Sequence, residues 1–221
     1  MGTVLVVRGG WEGHQPVAAT ELVLPELRKA GFDITISDTL AVYEDAAALR
    51  GFDLILQCWS QGELTQCQCA GLLDAVRSGV GFAGWHGGIV GTFGTSRDYL
   101  RMVGGQFLYH PPDFLDYQVR ISRAWAKHPI VAGIPDFTVH TEQYWMITDA
   151  WNDVLATTVV HPGRTDEFTE PVPMPVVWTR RWGCGRVFFS AIGHRPADLV
   201  QPEVFTLTER GLRWASRQPA T

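Results

Sequence analysis

The sequence predicts an α/β protein: a mostly parallel sheet with helices on both faces, and some antiparallel strands in its second half. Two patterns carry that expectation. Strand-like and helix-like segments alternate through the first hundred residues, the signature of parallel strands joined by crossover helices. Further on, Gly183-Cys184-Gly185 separates two strand runs and reads as a hairpin turn, hence antiparallel pairing. At 221 residues, 46% of them apolar, the chain is long enough for one domain with a full core, and 1–221 is taken as one unit.

The elements follow in order. Val4–Val7 is an apolar run read as the first strand. Val17–Ala30 has helical periodicity through Leu22, Val23, Leu27 and Ala30, with Gly31 as its stop. Phe32–Ser37 alternates as a strand, Phe52–Gln57 is a third, and Thr65–Ser78 is a second helix with Leu72, Leu73 and Val76 on its apolar face. Val80–Ala83 is the fourth strand. Later, Gln106–Tyr109, Phe114–Ile121, Val154–Val160, Met174–Trp178 and Arg186–Ile192 are strand-like. Thr165–Pro175 is polar and interrupted by prolines, so a surface loop is expected there. Pro202–Arg217 reads as a closing amphipathic helix.

Composition excludes several function classes. A formal net charge of −5 without a Lys/Arg cluster gives no footprint for nucleic acid. No apolar run reaches the roughly 18–20 residues of a membrane span. The chain opens directly on a strand without a charged leader, so a cytoplasmic location is expected. Cys58, Cys67, Cys69 and Cys184 do not form a disulfide framework in a chain this long, and Cys67-Gln68-Cys69 is poor metal or redox geometry on a helix. They are read as structural. Arg8-Gly9-Gly10-Trp11-Glu12-Gly13 follows the first strand but lacks the dinucleotide pattern, so no nucleotide cofactor is expected.

Gly84-Trp85-His86-Gly87-Gly88 is the most informative stretch. Small residues surround one polar side chain directly after a buried strand, where a sharp turn into a helix needs glycine and tolerates positive φ. In nucleophile elbows that position holds Ser or Cys; here it is His86. Two further histidines fall at strand ends, His14 after Gly9-Gly10 and His194 after Ala191-Ile192-Gly193. Carboxyl ends of parallel strands converge on one crevice. Three imidazoles meeting there are what zinc or a similar borderline metal needs. Glu142 is the candidate carboxylate, as a further ligand or as a base, and His110 is a candidate for the crevice wall.

The remaining candidates have plainer readings beside the functional ones. His128 and His161, in His-Pro turns, are read as capping or hydrogen-bonding residues, and His140 lies on a strand-like stretch. Trp178 and Trp214 sit in periodic segments and belong to the core. Trp11, Trp59, Trp85 and Trp145 are expected in loops after strand-like runs or beside the candidate site, where an indole can stack on a sugar ring or simply pack. Neither Gly-x-Ser-x-Gly nor Gly-x-Cys-x-Gly occurs, which argues against nucleophilic catalysis. A glycosidase carboxylate pair cannot be picked out either.

Together, several motifs resemble the ThuA-like (trehalose utilisation) domain family of the class I glutamine amidotransferase-like superfamily, over most of the chain. They are Gly84-Trp85-His86-Gly87-Gly88, Gly104-Gly105-Gln106-Phe107 leading to His110-Pro111, and His128-Pro129-Ile130 before Gly133. Glu142-Gln143-Tyr144 follows, with Thr141 where the family tends to have Asp. Pro175-Val176-Val177-Trp178-Thr179-Arg180, Gly183-Cys184-Gly185-Arg186-Val187 and Gly193-His194 complete the set. The resemblance implies a flavodoxin-like three-layer sandwich in which His86 takes the place of the amidotransferase Cys and His194 that of its late-strand His. Loss of the thiol makes glutamine hydrolysis implausible. The family's association with trehalose implies a carbohydrate context, downstream of sugar oxidation to 3-keto forms.

The resulting expectation is a carbohydrate-metabolism enzyme acting on a small keto-sugar or disaccharide derivative as a lyase, hydrolase or isomerase. His14, His86 and His194 would hold a divalent transition metal, zinc or manganese. His86, His194 and Glu142 would carry catalysis, and Trp85, Gly87, Trp59, Tyr144 and His110 would contact substrate. The alternatives are a non-catalytic sugar-binding or regulatory module on a degenerate amidotransferase scaffold, and a metal-free acid–base enzyme using the same histidines. A small carbohydrate is the expected partner, with neither nucleic acid nor membrane, and a homodimer is the default assembly.

Overall fold

A computed structural model describes residues 2–162 and 168–217. Its strands are β1 (Gly2–Gly10), β2 (Phe32–Ser37), β3 (Leu54–Ser60), β4 (Gly81–Trp85), β5 (Gly105–Tyr109), β6 (Leu115–Ile121), β7 (Phe137–Thr141), β8 (Trp145–Thr148), β9 (Asp153–Val160), β10 (Val172–Trp182) and β11 (Gly185–Ser190). The helices are α1 (Pro16–Glu21), α2 (Leu24–Lys29), α3 (Ala46–Leu49), α4 (Gln66–Arg77), α5 (Arg97–Val103), α6 (Pro196–Leu199) and α7 (Pro202–Ala215). Nine strands form one sheet in the order β2-β1-β3-β4-β11-β10-β9-β6-β7; β5 and β8 form a separate pair. The first five of the nine are parallel, and the pairs from β11 outward to β7 are antiparallel.

Burial explains the layering. Val4–Val7 and Leu54–Leu56 are fully buried on successive residues, as strands covered on both faces must be. One helix group, α1, α2, α6 and α7, packs together, and a second group is formed by α3, α4 and α5. Helix α4 begins where its sequence offers a capping box, Thr65 and Gln68 each accepting from the other's backbone N–H. No helix among the described residues is long and apolar enough to cross a membrane.

The structure departs from the sequence expectation at four places. The helix expected over 17–30 is two helices, because Pro25 has no N–H to donate and its ring would strike the carbonyl of Glu21. Of the loop expected at 165–175, residues 165–167 lie outside the described ones, and 172–175 already belong to β10. Pro173 and Pro175 are tolerated there because β10 pairs only with β9 at that point. Its pairing with β11 starts at Val177, beside the register shift. Trp59, Trp85 and Trp145 lie in β3, β4 and β8 rather than in loops. The short helices α3 and α5 had no periodicity long enough to announce them.

A buried polar network ties α5 and the 3-10 turn Leu40–Glu44 before α3 to the strand-to-helix turn after β4. Gln57 Nε2 donates to Gly88 O and Tyr99 Oη, both at 2.8 Å, while Tyr43 Oη donates to Gln57 Oε1 at 2.9 Å and Tyr99 Oη to Ile89 O at 2.9 Å. Gln57, Tyr43 and Tyr99 are fully buried. Removing the amide strands its partners without water. Gln57→Leu is therefore expected to lower unfolding free energy by about 3 kcal/mol in urea titration. A change within a few tenths would show that the network is not what braces this turn.

Candidate functional site

The candidate centre lies at the carboxyl ends of four neighbouring parallel strands, the crevice where open α/β sheets place ligands. Strand β1 is followed by a turn of 3-10 helix, Glu12–His14. There His14 Nδ1 shares a hydrogen bond of 2.5 Å with Ser60 Oγ at the end of β3. His86 follows β4 directly and has φ +50, a left-handed conformation that costs a residue with a Cβ about 1–3 kcal/mol. Next to it, Gly87 cannot carry a Cβ, which would fall inside the ring of His14. His194 follows β11. Glu142 comes from the other side, between β7 and β8.

Four of the expected residues are brought together: one donor atom each from His14, His86, Glu142 and His194 lie within 4.8 Å of one another. His86 is 1% exposed and Glu142 7%. His86 Nδ1 is 2.8 Å from Ala191 O, so it carries the proton and donates. The other ring nitrogen, Nε2, is thereby left as an acceptor. It receives the hydroxyl of Tyr144 at 2.6 Å and also faces Glu142 Oε2 at 3.0 Å. Two acceptors so close in a buried place call for a proton or a cation between them. His194 Nδ1 lies 3.1 Å from Glu142 Oε1, yet is buried without hydrogen-bond geometry to any partner.

Electrostatics keep His14 and His86 neutral. Burial, with His86 and His194 nearby, lowers the pKa of His14 from 6.5 to about 3. Burial also lowers that of His86, outweighing its contacts with Glu142 and Ala191. Glu142 is pushed up by burial, but the contacts with His194 and His86 prevail and hold it well below the usual carboxylate range. Burial, and then the charge of Glu142, raises Tyr144 well above 10 and keeps its hydroxyl protonated. Neutral His14 and His86 beside an ionised Glu142 are already in the form that binds a divalent transition metal.

Other expectations divide. His110 Nε2 is 3.3 Å from Glu142 Oε1, and its Nδ1–H donates to Pro111 O at 2.6 Å, so it borders the cluster without belonging to the group of four. Tyr144 stacks on His86 with ring centroids 4.1 Å apart. Trp85, expected to meet substrate, is 1% exposed; its ring packs against Gly193 and belongs to the core. Gly87 serves the approach of His14 rather than offering a surface to substrate. Trp59 is half-buried over Gly9 and has no ring contact with the cluster among the described residues. His140 is an exposed partner of Asp116, and His128 accepts from Ile130 N–H while packing between Trp125 and Trp214.

Sequence reasoning missed the supporting parts. Ser60 and the Ala191 carbonyl set the two ring orientations; a backbone acceptor leaves no trace in side-chain identity. Thr141 Oγ1 donates to Asp198 Oδ2 at 2.7 Å, and Arg195 pairs with the same carboxylate at 2.8 Å, joining the strand before Glu142 to the segment after His194.

A family model described as trehalose utilisation, ThuA, matches residues 3–215. No curated protein matches the chain. Among solved structures, a ThuA-like protein of Bacteroides uniformis superposes with a TM-score of 0.77 at 18% identity, over 97% of this chain and 91% of that one. One from Parabacteroides merdae gives 0.77 at 17%, over 99% and 92%. A Salmonella typhimurium protein described as cytoplasmic gives 0.68 at 14%, over 99% and 100%. At such identities these three similarities establish the fold.

The depressed histidines have a stability consequence in metal-stripped protein. Unfolded, His14 takes a proton near 6.5; folded, it stays neutral down to about 3. Stability therefore falls as pH drops below 6.5, and between 6.5 and 4.5 this occurs before ordinary carboxylates titrate. His14→Gln is expected to flatten the pH dependence of the urea midpoint across that window. An unchanged slope would remove His14 as its source.

Proposed function

The chain belongs to the ThuA family, trehalose utilisation, and we propose that it is an enzyme acting on a small keto-sugar or disaccharide derivative by histidine- and metal-assisted acid–base chemistry. The observation that carries this reading is the buried meeting of His86 Nε2, His14, His194 and Glu142 with acceptor atoms turned toward one another. A binding module has no need of that electrostatic cost. His14, His86 and His194 would hold the ion, and the orphaned Nδ1 of His194 is the sign that they fit one. A divalent transition metal such as zinc or manganese supplies Lewis acidity toward a keto or hydroxyl oxygen.

The chain's own groups supply the proton traffic. Glu142, ionised and shielded from water, takes the proton from the carbon next to the sugar carbonyl, and the electron pair of that C–H bond passes into the carbonyl. His110 Nε2, 3.3 Å from Glu142 Oε1 on a side chain 29% exposed, is placed to hold that proton and hand it back through Glu142. Tyr144, held protonated, has one hydrogen to give; with His86 Nε2 taken up as a ligand, that hydrogen is released to donate to a substrate oxygen. Return of the proton to the neighbouring carbon gives isomerisation; expulsion of a β-glycosidic oxygen, which then takes the proton, gives elimination. Neither outcome needs a thiol or a glycosidase carboxylate pair.

Elemental analysis of untagged protein, before and after chelation, is paired with turnover of 3-keto-glycosides. His86→Ala is expected to lose the metal and the turnover. Glu142→Gln is expected to keep the fold and to lower turnover about 10²–10⁴-fold. Unchanged metal content and unchanged turnover in His86→Ala would falsify the mechanism. Full turnover after complete metal removal would reduce it to histidine acid–base chemistry.

A further inference from the structure

The rim of the centre holds an aromatic side chain that the proton chemistry leaves without a task. Trp11 is 46% exposed, and its ring centroid lies 4.7 Å from that of His14 at 78°. Singly exposed apolar side chains are common and need no explanation. This one is distinguished by how it is held. Its backbone N–H donates to Ser60 O at 3.1 Å, the same residue whose hydroxyl holds His14, and its carbonyl accepts from His14 N–H at 3.3 Å. Two residues on, Gly13 lies so close to the indole that a Cβ there would collide with Cζ2, Cη2 and Cε2. The backbone thus backs the ring, and part of the indole remains open to solvent beside the cluster.

We propose that Trp11 is a stacking platform for a pyranose ring, a subsite that places one sugar of a disaccharide beside His14 while the reacting part of the ligand reaches Glu142. This rests on the reading that the centre takes a sugar. The physical match is specific: the axial C–H groups of a pyranose form an apolar face, an indole is the largest flat apolar partner a protein offers, and a ring already fixed loses little freedom on binding. His14 lies between the platform and the deeper residues, 4.9 Å from His86 and 5.1 Å from His194 between ring centroids. A ligand lying on the indole is therefore already next to the centre. Trp85, by contrast, has no surface to give, being buried.

The probe is trehalose, and the measurements are calorimetric affinity and the indole N–H resonance of Trp11, assigned by its absence in Trp11→Phe. Trehalose is expected to shift that resonance, and Trp11→Ala to weaken its binding about ten-fold. Gly13→Ala retains the indole but tips it, so a weaker version of the same loss is expected. Trehalose that does not bind the wild-type protein, or binds Trp11→Ala equally well, or leaves the Trp11 resonance unmoved, overturns the subsite. If affinity depends on Trp11 in a protein that neither holds metal nor turns over keto-sugars, the subsite stands and the catalytic reading falls.

Discussion

The hydrogen bond from His86 Nδ1–H to the carbonyl of Ala191 is the constraint on which the rest of the centre depends. It spans two adjacent parallel strands just where their pairing runs out, since Trp85 is opposite Ser190 and the next residues are His86 and Ala191. One such bond contributes about 1 kcal/mol, no more than the left-handed backbone of His86 costs. The arrangement gains little stability for the fold. What it gains is direction: the ring has one tautomer and one orientation, and its second nitrogen is committed to the interior. Tyr144 and Glu142 are then arranged around that nitrogen.

The elbow also owes its character to the size of the side chain it carries. A small side chain at this turn would present a nucleophile to a ligand above the sheet. An imidazole is longer, reaches across to β11 and to the segment between β7 and β8, and becomes one member of a convergent set. Gly87 makes room for His14 on one side, and the network around Gln57 braces the turn from below. The likeness in backbone to proteins with very different side chains, at 18% identity and less, is consistent with a fold that fixes positions and leaves the choice of atoms open.

Much of this was legible in the chain itself because strand ends in parallel sheets are predictable places. His14, His86 and His194 could be assigned to one crevice from strand-end context alone, before any distance was known, and four of the five parallel strands follow from alternation. The fifth, β11, enters late as one arm of a hairpin, and no local pattern announces its parallel place beside β4. Glu142 was legible only as a candidate, since it enters from a non-parallel part of the chain whose position no local pattern dictates. Trp85 was misread because glycine context at a strand end does not say which way the flanking residue points. The break at Pro25 was written in the sequence but overridden by a strong apolar periodicity. Ser60, Ala191 and Gly13 act through a hydroxyl, a carbonyl and a missing Cβ, whose meaning appears only in three dimensions.

The four convergent side chains also stand far apart along the chain, at positions 14, 86, 142 and 194, and all of them are carried by a sheet whose last parallel strand is inserted late in the sequence. Closing such long loops is entropically slow, and strand pairings of this span belong to the later events of folding. The centre therefore has no partial form: a chain lacking β11 in place has neither His194 nor the acceptor that orients His86. An ion held there would act as a clasp across the whole parallel half of the sheet, its affinity drawn entirely from the finished fold and returned to it as resistance to opening.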